Sequence, residues 1–445
     1  MKYKKINTKY LTTVFETPEG TGSWFGYYNY DPLNYDQSKL LCQRSSQGAC
    51  AITKDMSVEI GYYDIPSGKW HSVGVSDSFN WPQGSMLQWI PGTRNKLIYN
   101  TSKNNHHIAR IVDVDTNETK DIDWAIYGIT PDGKKSITID MDRAHWTRGY
   151  HYESVVRPEL DVPVLSGDGI FEIDIESNRR RLLIAIEDII HADYDESFKD
   201  AKHWIEHIMI SPNGKRFCFL HRFSPITNYM RYTTRLIIAN IDGSNLQVID
   251  GWRKYDWSHF GWCDDDSFSI YTYERSKPYD GLQITSANPI ANHTKQSSPK
   301  SILSCVRTLI PESVKKEMRI LIRGQKTYYQ YYKCMNGAFS LSDIYKIRDF
   351  DIDGHQNYTN NHRYMIADTY PDTHQYQKLI IYNTETKKSL ILGRIYAALH
   401  QKPGSCDLHP KISRDNSFLM VDSAYNGSHH MILFKINWSE INNVI

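Results

Sequence analysis

Four histidines of this chain open segments that share one pattern, and imidazole both binds metals and transfers protons near neutral pH. The segments are "HIMISPNGKRFCFLHR" from His207, "HFGWCDDDSFSIYTYER" from His259, "HQNYTNNHRYMIADTY" from His355 and "HPKISRDNSFLMVDS" from His409. Each continues as a short strand, a polar turn and a second apolar strand. Histidines at one position of a repeated unit are expected at one level of the folded protein.

The same unit occurs without the histidine at three further places. These are "MLQWIPGTRNKLIYN" from Met86, "IYGITPDGKKSITID" from Ile126 and, more weakly, "YNYDPLNYDQSKLLCQR" from Tyr28. Several units end in a further hairpin, such as "LIIANIDGSNLQVI", which gives four strands per unit. Seven four-stranded units predict an all-β fold, a seven-bladed β-propeller with a helical insertion.

The repeat extends over the whole chain, so residues 1–445 are predicted to form a single propeller domain. Two spacings are long and predict insertions at about 141–166 and 276–345, placed over one rim. The second insertion contains "SPKSILSCVRTLIPESVKKEM", where Ile302, Val306, Leu309 and Val314 predict a helix. The N-terminal "YLTTVFE" is expected to complete the last blade.

In a propeller the first strand of each blade lines the central channel, so the four histidines would point at a common volume. Three imidazole nitrogens with an open position suit a divalent metal such as Mn or Zn. Three of the four histidines are expected as ligands, rather than all four, and the repeat does not choose among His207, His259, His355 and His409. The alternative is that each histidine bonds a neighbouring loop and is structural.

Other candidates lie in shorter motifs. Arg222, in "FLHRF", would hold a substrate carboxylate or form a salt bridge at the rim. His106 and His107 begin a strand in "NNHHIAR", either at the channel mouth or on the surface.

Aromatic and amide side chains suggest a surface that binds sugar. Trp81, Gln83 and Gln88, in "FNWPQGSMLQW", would form such a wall or fill the space between blades. The motif "RGYHYE" places Tyr150 and Tyr152 on the first insertion.

Composition limits the function classes. A net charge of +1 over 445 residues gives no support for nucleic-acid binding. No apolar run is long enough for a membrane span or a signal peptide, which predicts a cytoplasmic protein, or a periplasmic or secreted one if a leader is removed. The seven cysteines lack CxxC spacing. Motifs for phosphate binding, serine hydrolysis and HExxH zinc chemistry are not found.

The motifs together resemble those of the β-propeller polysaccharide lyases, namely the ulvan lyases and, more distantly, the oligogalacturonate lyases. The resemblance covers most of the chain and is carried by "FNWPQGSMLQWIPGTRNKLIYN", "HHIARIVDVDT", "GKRFCFLHRF", "DGHQNY", "MIADTYPD" and "CDLHPKISRDN". It implies cleavage of uronic-acid glycans by β-elimination. That reaction needs neutralisation of the carboxylate, a base for the C5 proton and an acid for the departing O4.

Matching the ulvan lyases motif by motif assigns roles to several residues. His107 would be the base or acid, with His106 as the alternative, and Arg222 would neutralise the carboxylate. The family's second histidine falls in "IYGITPDG", where this chain has Tyr127 and Gly128 instead. Near the place of the catalytic tyrosine stand Glu206 and His207, and Tyr150 or Tyr152 would substitute for it.

The oligogalacturonate lyases hold a divalent metal with channel histidines, which His259, His355 and His409 match best by blade order. The first hypothesis is therefore a lyase acting on a uronic-acid-containing oligo- or polysaccharide, assisted by Mn or Zn. The second is a non-catalytic propeller that binds glycan or protein at a decayed lyase site. The third is another metal-assisted reaction in the same channel, such as epimerisation or hydrolysis.

Overall fold

A computed structural model describes residues 4–147, 150–226, 232–275, 279, 327–347, 350 and 353–445 of the chain. In these ranges 29 strands form seven antiparallel sheets, which confirms the predicted seven-bladed β-propeller. The helices of the same ranges are short: α1 (Met141–Ala144), α2 (Ile186–His191) and α3 (Trp438–Asn442). None of them has the length or hydrophobicity needed to cross a membrane. The helix predicted around 302–314 lies outside the described residues.

The strands follow the predicted units in order. Two N-terminal strands, β1 (Lys4–Ile6) and β2 (Leu11–Glu16), precede the first blade. Blade 1 contains β3 (Ser23–Trp24), β4 (Lys39–Arg44), β5 (Val58–Asp64) and β6 (Lys69–Ser76). Blade 2 contains β7 (Gln88–Trp89), β8 (Lys96–Lys103), β9 (His106–Asp113) and β10 (Thr119–Ile122). Blade 3 contains β11 (Gly128–Ile129), β12 (Lys135–Thr138), β13 (Gly169–Asp174) and β14 (Arg179–Ala185).

The longest strands of the ring are in blades 4 and 5. Blade 4 contains β15 (Ala201–Ile210), β16 (Arg216–Pro225), β17 (Thr233–Asn240) and β18 (Gln247–Val248). Blade 5 contains β19 (Tyr255–Asp264), β20 (Ser267–Glu274), β21 (Thr327–Met335) and β22 (Ala338–Tyr345). Blade 6 contains β23 (Gln356–Tyr358), β24 (Tyr364–Asp368), β25 (Tyr376–Asn383) and β26 (Ser389–Tyr396). Blade 7 contains β27 (Lys411–Ile412), β28 (Phe418–Ser423) and β29 (His430–Ile436).

The core lies between adjacent blades, because the middle strands of each blade are covered on both faces. In β17 the run Leu236, Ile237, Ile238 and Ala239 is buried throughout. Such runs contain few polar residues, since neither face of the strand meets water. A propeller therefore shows continuous apolar runs where a two-layer sheet shows alternation.

The N-terminal strands close the ring. Strand β2 is the outer strand of blade 7 and pairs with β29, with Leu11 opposite Ile436. Strand β1 adds a fifth strand to blade 6 by pairing with β26. The beginning of the chain thus holds its last two blades.

The predicted insertions differ in outcome. The first, at 141–166, separates β12 from β13 and carries α1. In the second, the part 327–345 is not an insertion but forms β21 and β22, the outer strands of blade 5. The sequence spacing hid these strands because about fifty residues separate them from β20.

A buried ion pair fastens blade 7 to blade 1. Lys411 Nζ lies 3.0 Å from Asp422 Oδ2 and donates to the main-chain oxygen of His409 at 2.9 Å. Asp422 also accepts the main-chain N–H groups of Phe25 (2.9 Å) and Gly26 (3.3 Å). Both charged side chains are almost wholly buried. The pair therefore fixes the segment that follows β3 at the seam of the ring.

Replacing Lys411 by Met is expected to lower the free energy of unfolding by about 3 kcal/mol or more, because it leaves the Asp422 charge buried without its cation. Lys435→Met, at an exposed position of the same blade, is the control and should change stability by less than about 0.5 kcal/mol. Urea unfolding measures both. Equal stabilities for the two variants would contradict the assigned role.

A chain of hydrogen bonds without a carboxylate lies inside blade 4. The Arg235 guanidinium can only donate, so Nδ1 of His221, 3.3 Å away, accepts. Nε2 of His221 then donates to Nδ1 of His203 at 3.0 Å, and Nε2 of His203 donates to the Phe198 carbonyl at 2.9 Å. Arg235 also donates to the carbonyl of Ala192. Both imidazoles are neutral in this arrangement, which holds segment 186–198 against the blade.

Burial, with a smaller contribution from the Arg235 charge, lowers the pKa of His203 to about 4. The unfolded chain binds this proton near pH 6.5, so stability from the neutral His203 is complete above pH 6.5 and is lost as the pH falls toward 4. We expect a loss of about 3 kcal/mol over this interval, with a slope of up to about 1.4 kcal/mol per pH unit.

The measurement is urea unfolding between pH 7 and pH 4. His203→Asn should remove this part of the slope, whereas exposed His374→Asn should retain it. The same slope in His203→Asn as in the unmodified protein would contradict the prediction.

Candidate active site: a histidine cluster in the channel

The four channel histidines lie side by side. Ring centroids are 4.1 Å apart for His259 and His355, 4.2 Å for His355 and His409, and 6.3 Å for His207 and His259. Each of the four residues is at most 6% exposed. The structure thus brings the predicted column together in one buried cluster.

Irregular backbone aims these side chains at the channel. His207 and His259 fall at register shifts of β15 and β19, and bulges of this kind redirect side chains near functional sites. His207 and His409 have positive φ angles of 58° and 43°. Met86, at the equivalent place in blade 2, has φ 53°. The left-handed conformation at this place in a blade therefore occurs both with and without a histidine.

Three of the histidines have Nδ1 next to an acceptor, which fixes the ring tautomer. The pairs are His259 with Asp353 (3.3 Å), His355 with Asp368 (3.0 Å) and His409 with the main-chain oxygen of Gly26 (3.0 Å). Each Nδ1 therefore carries the proton, and each Nε2 carries a lone pair. Metal-binding histidines are usually oriented in this way, by an acceptor on the other nitrogen.

A carboxylate that the sequence analysis missed joins this group. Ligand atoms of His355, Asp407 and His409 all lie within 4.8 Å of one another. Burial raises the pKa of Asp407 to about 6. Two imidazoles and a carboxylate fit Mn or Zn, so the donor set passes the chemical test for such an ion. His259, also predicted as a ligand, lies beside His355 but outside this triad.

Asp368 sets the charge of the cluster. It accepts the main-chain N–H groups of His355 (2.6 Å) and His409 (2.9 Å). Burial alone would raise the pKa of Asp368, but the His355 charge and side-chain hydrogen bond, with these N–H groups, lower it. Burial alone would lower the pKa of His355, but the Asp368 carboxylate outweighs it and raises that pKa. Burial and the His355 charge lower the pKa values of His259 and His409. A positive charge on the cluster is therefore most stable at His355.

His207 differs from the other three. The Tyr27 hydroxyl lies 2.6 Å from its Nδ1 and donates to it, which puts the imidazole proton on Nε2, 3.6 Å from Glu206. Burial lowers the pKa of His207 well below its ordinary value, so the ring is neutral. Tyr27 and Tyr28 come from blade 1 and pack against the histidines in the channel. His207 is thus arranged for proton transfer and not for metal binding.

Arg222 already has a partner. Its Nη1 donates to Glu206, and the guanidinium lies 4.6 Å from the centre of the Tyr232 ring. Both members of the ion pair are largely buried. This geometry is the salt bridge considered from the sequence, although it lies beside the histidine cluster. The partner Glu206 stands next to His207 in the sequence, where its role was not foreseen.

Tyrosines surround the cluster on the side of the first insertion. The Tyr150 ring is 5.1 Å from His207 and 6.2 Å from Tyr27. Tyr370, which the sequence analysis did not select, is 6.0 Å from His259 and 5.8 Å from His355. Tyr150 and Tyr370 are partly exposed, as is Asp407. They connect the buried histidines with the solvent.

His107 and His106 lie elsewhere. They begin β9, the third strand of blade 2, and their Nδ1 atoms are each 2.8 Å from a different oxygen of Asp142 in α1. The other contacts of His107 are with Ser154 and Tyr152. The structure does not bring them to the cluster, because two strands separate β9 from the channel. Here these histidines anchor the first insertion.

The predicted sugar-binding wall is internally bonded, and apart from the half-buried Trp81 it is buried, as in the alternative that it fills the space between blades. The bonds are Trp81 to the Cys50 oxygen (2.7 Å), Gln83 to the Tyr127 hydroxyl (2.8 Å), Gln88 to the Tyr127 oxygen (2.7 Å) and Asn100 to the Tyr152 hydroxyl (3.0 Å). Tyr152 is fully buried, and Gln83 and Gln88 nearly so. In these positions they fill the space between blades.

A pocket of about 230 Å³ lies at the opposite mouth of the channel. Its lining includes Asn29, Met209, Trp262 and Asn357, each one to three residues beyond a channel histidine or tyrosine. The inner strands therefore run from the histidine cluster toward this pocket. This pocket is lined by amide, thioether and indole side chains, whereas the histidine cluster offers imidazoles and a carboxylate.

No protein-family model matches this sequence, and no curated protein is similar to it. Solved structures do match. An oligogalacturonate lyase in complex with manganese has a TM-score of 0.61 at 12% identity, covering 98% of this chain and 96% of that chain. The oligogalacturonate lyase of Vibrio parahaemolyticus has a TM-score of 0.58 at 13% identity, covering 97% and 94%.

The shared feature is the fold. At such identities the similarity shows the propeller fold alone. Other propellers match more weakly, among them the tricorn protease with a TM-score of 0.48, of which 34% is covered. The chemistry of the channel must therefore be argued from its own residues.

Asp368→Asn should weaken binding of Mn²⁺ or Zn²⁺ by about 10- to 100-fold, because the amide no longer supplies the charge that orients His355. The main-chain N–H groups of His355 and His409 bond different carboxylate oxygens, so the amide keeps one of these bonds, and the urea unfolding midpoint checks that the variant folds. Equilibrium dialysis with elemental analysis measures the affinity. Asp343→Asn, on an outer strand, is the control. Unchanged affinity in Asp368→Asn would contradict this role of Asp368.

Proposed function

We propose that this protein is a lyase that cleaves a uronic-acid-containing oligo- or polysaccharide by β-elimination at the channel mouth. The observation that carries the proposal is the convergence of His259, His355, His409 and Asp407, with their Nε2 lone pairs and carboxylate, beside His207 and Tyr150. The similarity in fold to an oligogalacturonate lyase that binds manganese supports it. Oligogalacturonate is therefore the first substrate to test, and ulvan, suggested by the sequence motifs, is the second.

Neutralisation of the substrate carboxylate is the first requirement, because the adjacent C5 proton is only weakly acidic. His355, Asp407 and His409 would hold a divalent cation, which when bound supplies this positive charge. Arg222 adds a fixed cation close by, although Glu206 balances much of it. Tyr370 and Tyr150 offer ring faces and hydroxyls that suit a sugar.

Proton transfer is the second requirement. The neutral His207 is the base, and the Tyr27 hydroxyl bonded to its Nδ1 is the route by which the C5 proton reaches it. The imidazolium that forms faces the Glu206 carboxylate. Burial raises the pKa of Tyr150, which keeps its hydroxyl protonated as the acid for the departing O4. His207 as the base and Tyr150 as the acid thus supply the two proton transfers that the elimination needs.

Tyr150→Phe is expected to lower turnover by about 10²- to 10⁴-fold with little effect on substrate binding, because it removes only the acid. The assay follows the near-ultraviolet absorption of the 4,5-unsaturated uronate product with Mn²⁺ or Zn²⁺ present. Exposed Tyr35→Phe is the control and should keep full activity. Absence of the unsaturated product from every uronate glycan would contradict the lyase proposal.

The second candidate is a propeller that binds glycan or a protein partner without catalysis. It is favoured by the Arg222–Glu206 pair, which leaves the arginine partly neutralised, and by the deep burial of the histidines. Glycan binding without product, unaffected by Arg222→Gln, would support this candidate. Product mass separates the lyase from a hydrolase, because hydrolysis adds water and elimination does not.

A further inference from the structure

We propose that His145, His151 and Glu153 form a second metal site, separate from the channel, that takes Zn²⁺. Ligand atoms of the three residues all lie within 4.8 Å of one another. Nε2 of His151 is 3.0 Å from Glu153, and the His145 and His151 rings are 5.3 Å apart. None of these residues belongs to the channel cluster.

The local sequence explains how the ligands converge. His145 directly follows α1, and residues 150–153 alternate in direction, as successive residues of an extended segment do. Tyr150 contacts His207 and Tyr152 is buried against His107, so both tyrosines point inward. His151 and Glu153 lie between and after them and face outward, toward His145.

The donor set suits zinc. Two imidazoles and one carboxylate are a common zinc ligand set that leaves a fourth position for water. The side chains are 16%, 32% and 37% exposed for His145, His151 and Glu153, which allows an ion to enter. Nδ1 of His145 lies 3.2 Å from the Tyr152 carbonyl and 4.0 Å from Glu153 Oε2, so this ring edge faces the carboxylate that His151 also contacts.

A simple ion pair between His151 and Glu153 explains the arrangement less well than a metal site does. An exposed His151–Glu153 pair is worth roughly 0–1 kcal/mol and needs no third partner. Here a second imidazole, His145, lies 4.0 Å from the same carboxylate although it comes earlier in the insertion, directly after α1. Zinc would link His145 to residues 151–153, and so would restrain the segment that carries Tyr150.

The inference does not depend on the lyase proposal, since the site uses no substrate and no channel residue. Its test is the number of Zn²⁺ ions held after the protein is treated with chelator and titrated with zinc chloride, by calorimetry and elemental analysis. His151→Gln and Glu153→Gln are each expected to hold one equivalent fewer than the unmodified protein. His374→Gln, at an exposed loop histidine, is the matched control and should hold the full number.

A second measurement separates this site from the channel. In an Asp407→Asn background, Zn²⁺ should still raise the apparent melting temperature, because ligand binding to the native state stabilises it. The rise should disappear in Asp407→Asn/Glu153→Gln. Unchanged zinc content in both His151→Gln and Glu153→Gln would overturn the proposal, as would a melting temperature in the Asp407→Asn background that Zn²⁺ does not raise.

Discussion

The buried carboxylate of Asp368 is the group on which the channel depends. It ends β24 in blade 6, yet it accepts main-chain hydrogen bonds from His355 in its own blade and from His409 in blade 7. It also orients the His355 ring. Hydrogen bonds to an ionised acceptor are about twice as strong as neutral ones, and burial makes each more important. The Asp368 side chain thus fixes the backbone at His355 and at His409, the tautomer of His355 and the charge of the cluster.

The next seam, between blades 7 and 1, depends on a second buried carboxylate. Asp422 accepts the N–H groups of Phe25 and Gly26, and Gly26 in turn accepts the Nδ1 proton of His409. The segment that places Tyr27 in the channel is therefore held by blade 7. Structural and functional polar groups form one continuous network, so that the geometry of the candidate site is inseparable from closure of the ring.

Much of the fold could be predicted from the sequence because it is periodic. The seven repeated units indicated seven blades, and the four units that begin with a histidine indicated the clustering of His207, His259, His355 and His409. The outer strands of blade 5 were assigned wrongly, since a long segment interrupts the repeat before Thr327. Periodicity in the sequence indicates the number of blades but not the length of the segment between two strands of one blade.

The partners in the site were harder to predict because they come from loops. Asp407 and Tyr370 lie outside the strand–turn–strand pattern, and only the fold brings them to the histidines. Asp142 lies 35 residues after His107, so the sequence around His107 does not indicate that this histidine anchors the first insertion. Arg222 had two possible partners in principle, and the register of β15 and β16, with Trp204 opposite Arg222 and Glu206 opposite Leu220, puts Glu206 within its reach.

Closure of the ring by β2 has a consequence for synthesis of the protein. Residues 11–16 are made long before their partner β29, which ends at Ile436. At about 5–20 residues per second, roughly 20 to 80 s pass between the emergence of the two strands. Throughout that time β2 lacks its partner strand, and its unpaired edge can pair with strands of other chains. Its sequence, LTTVFE, has an exposed run of Thr12, Thr13 and Val14, and the charged Glu16 at its end limits such capture. The nascent ring is therefore most vulnerable to misassembly before its last strand appears.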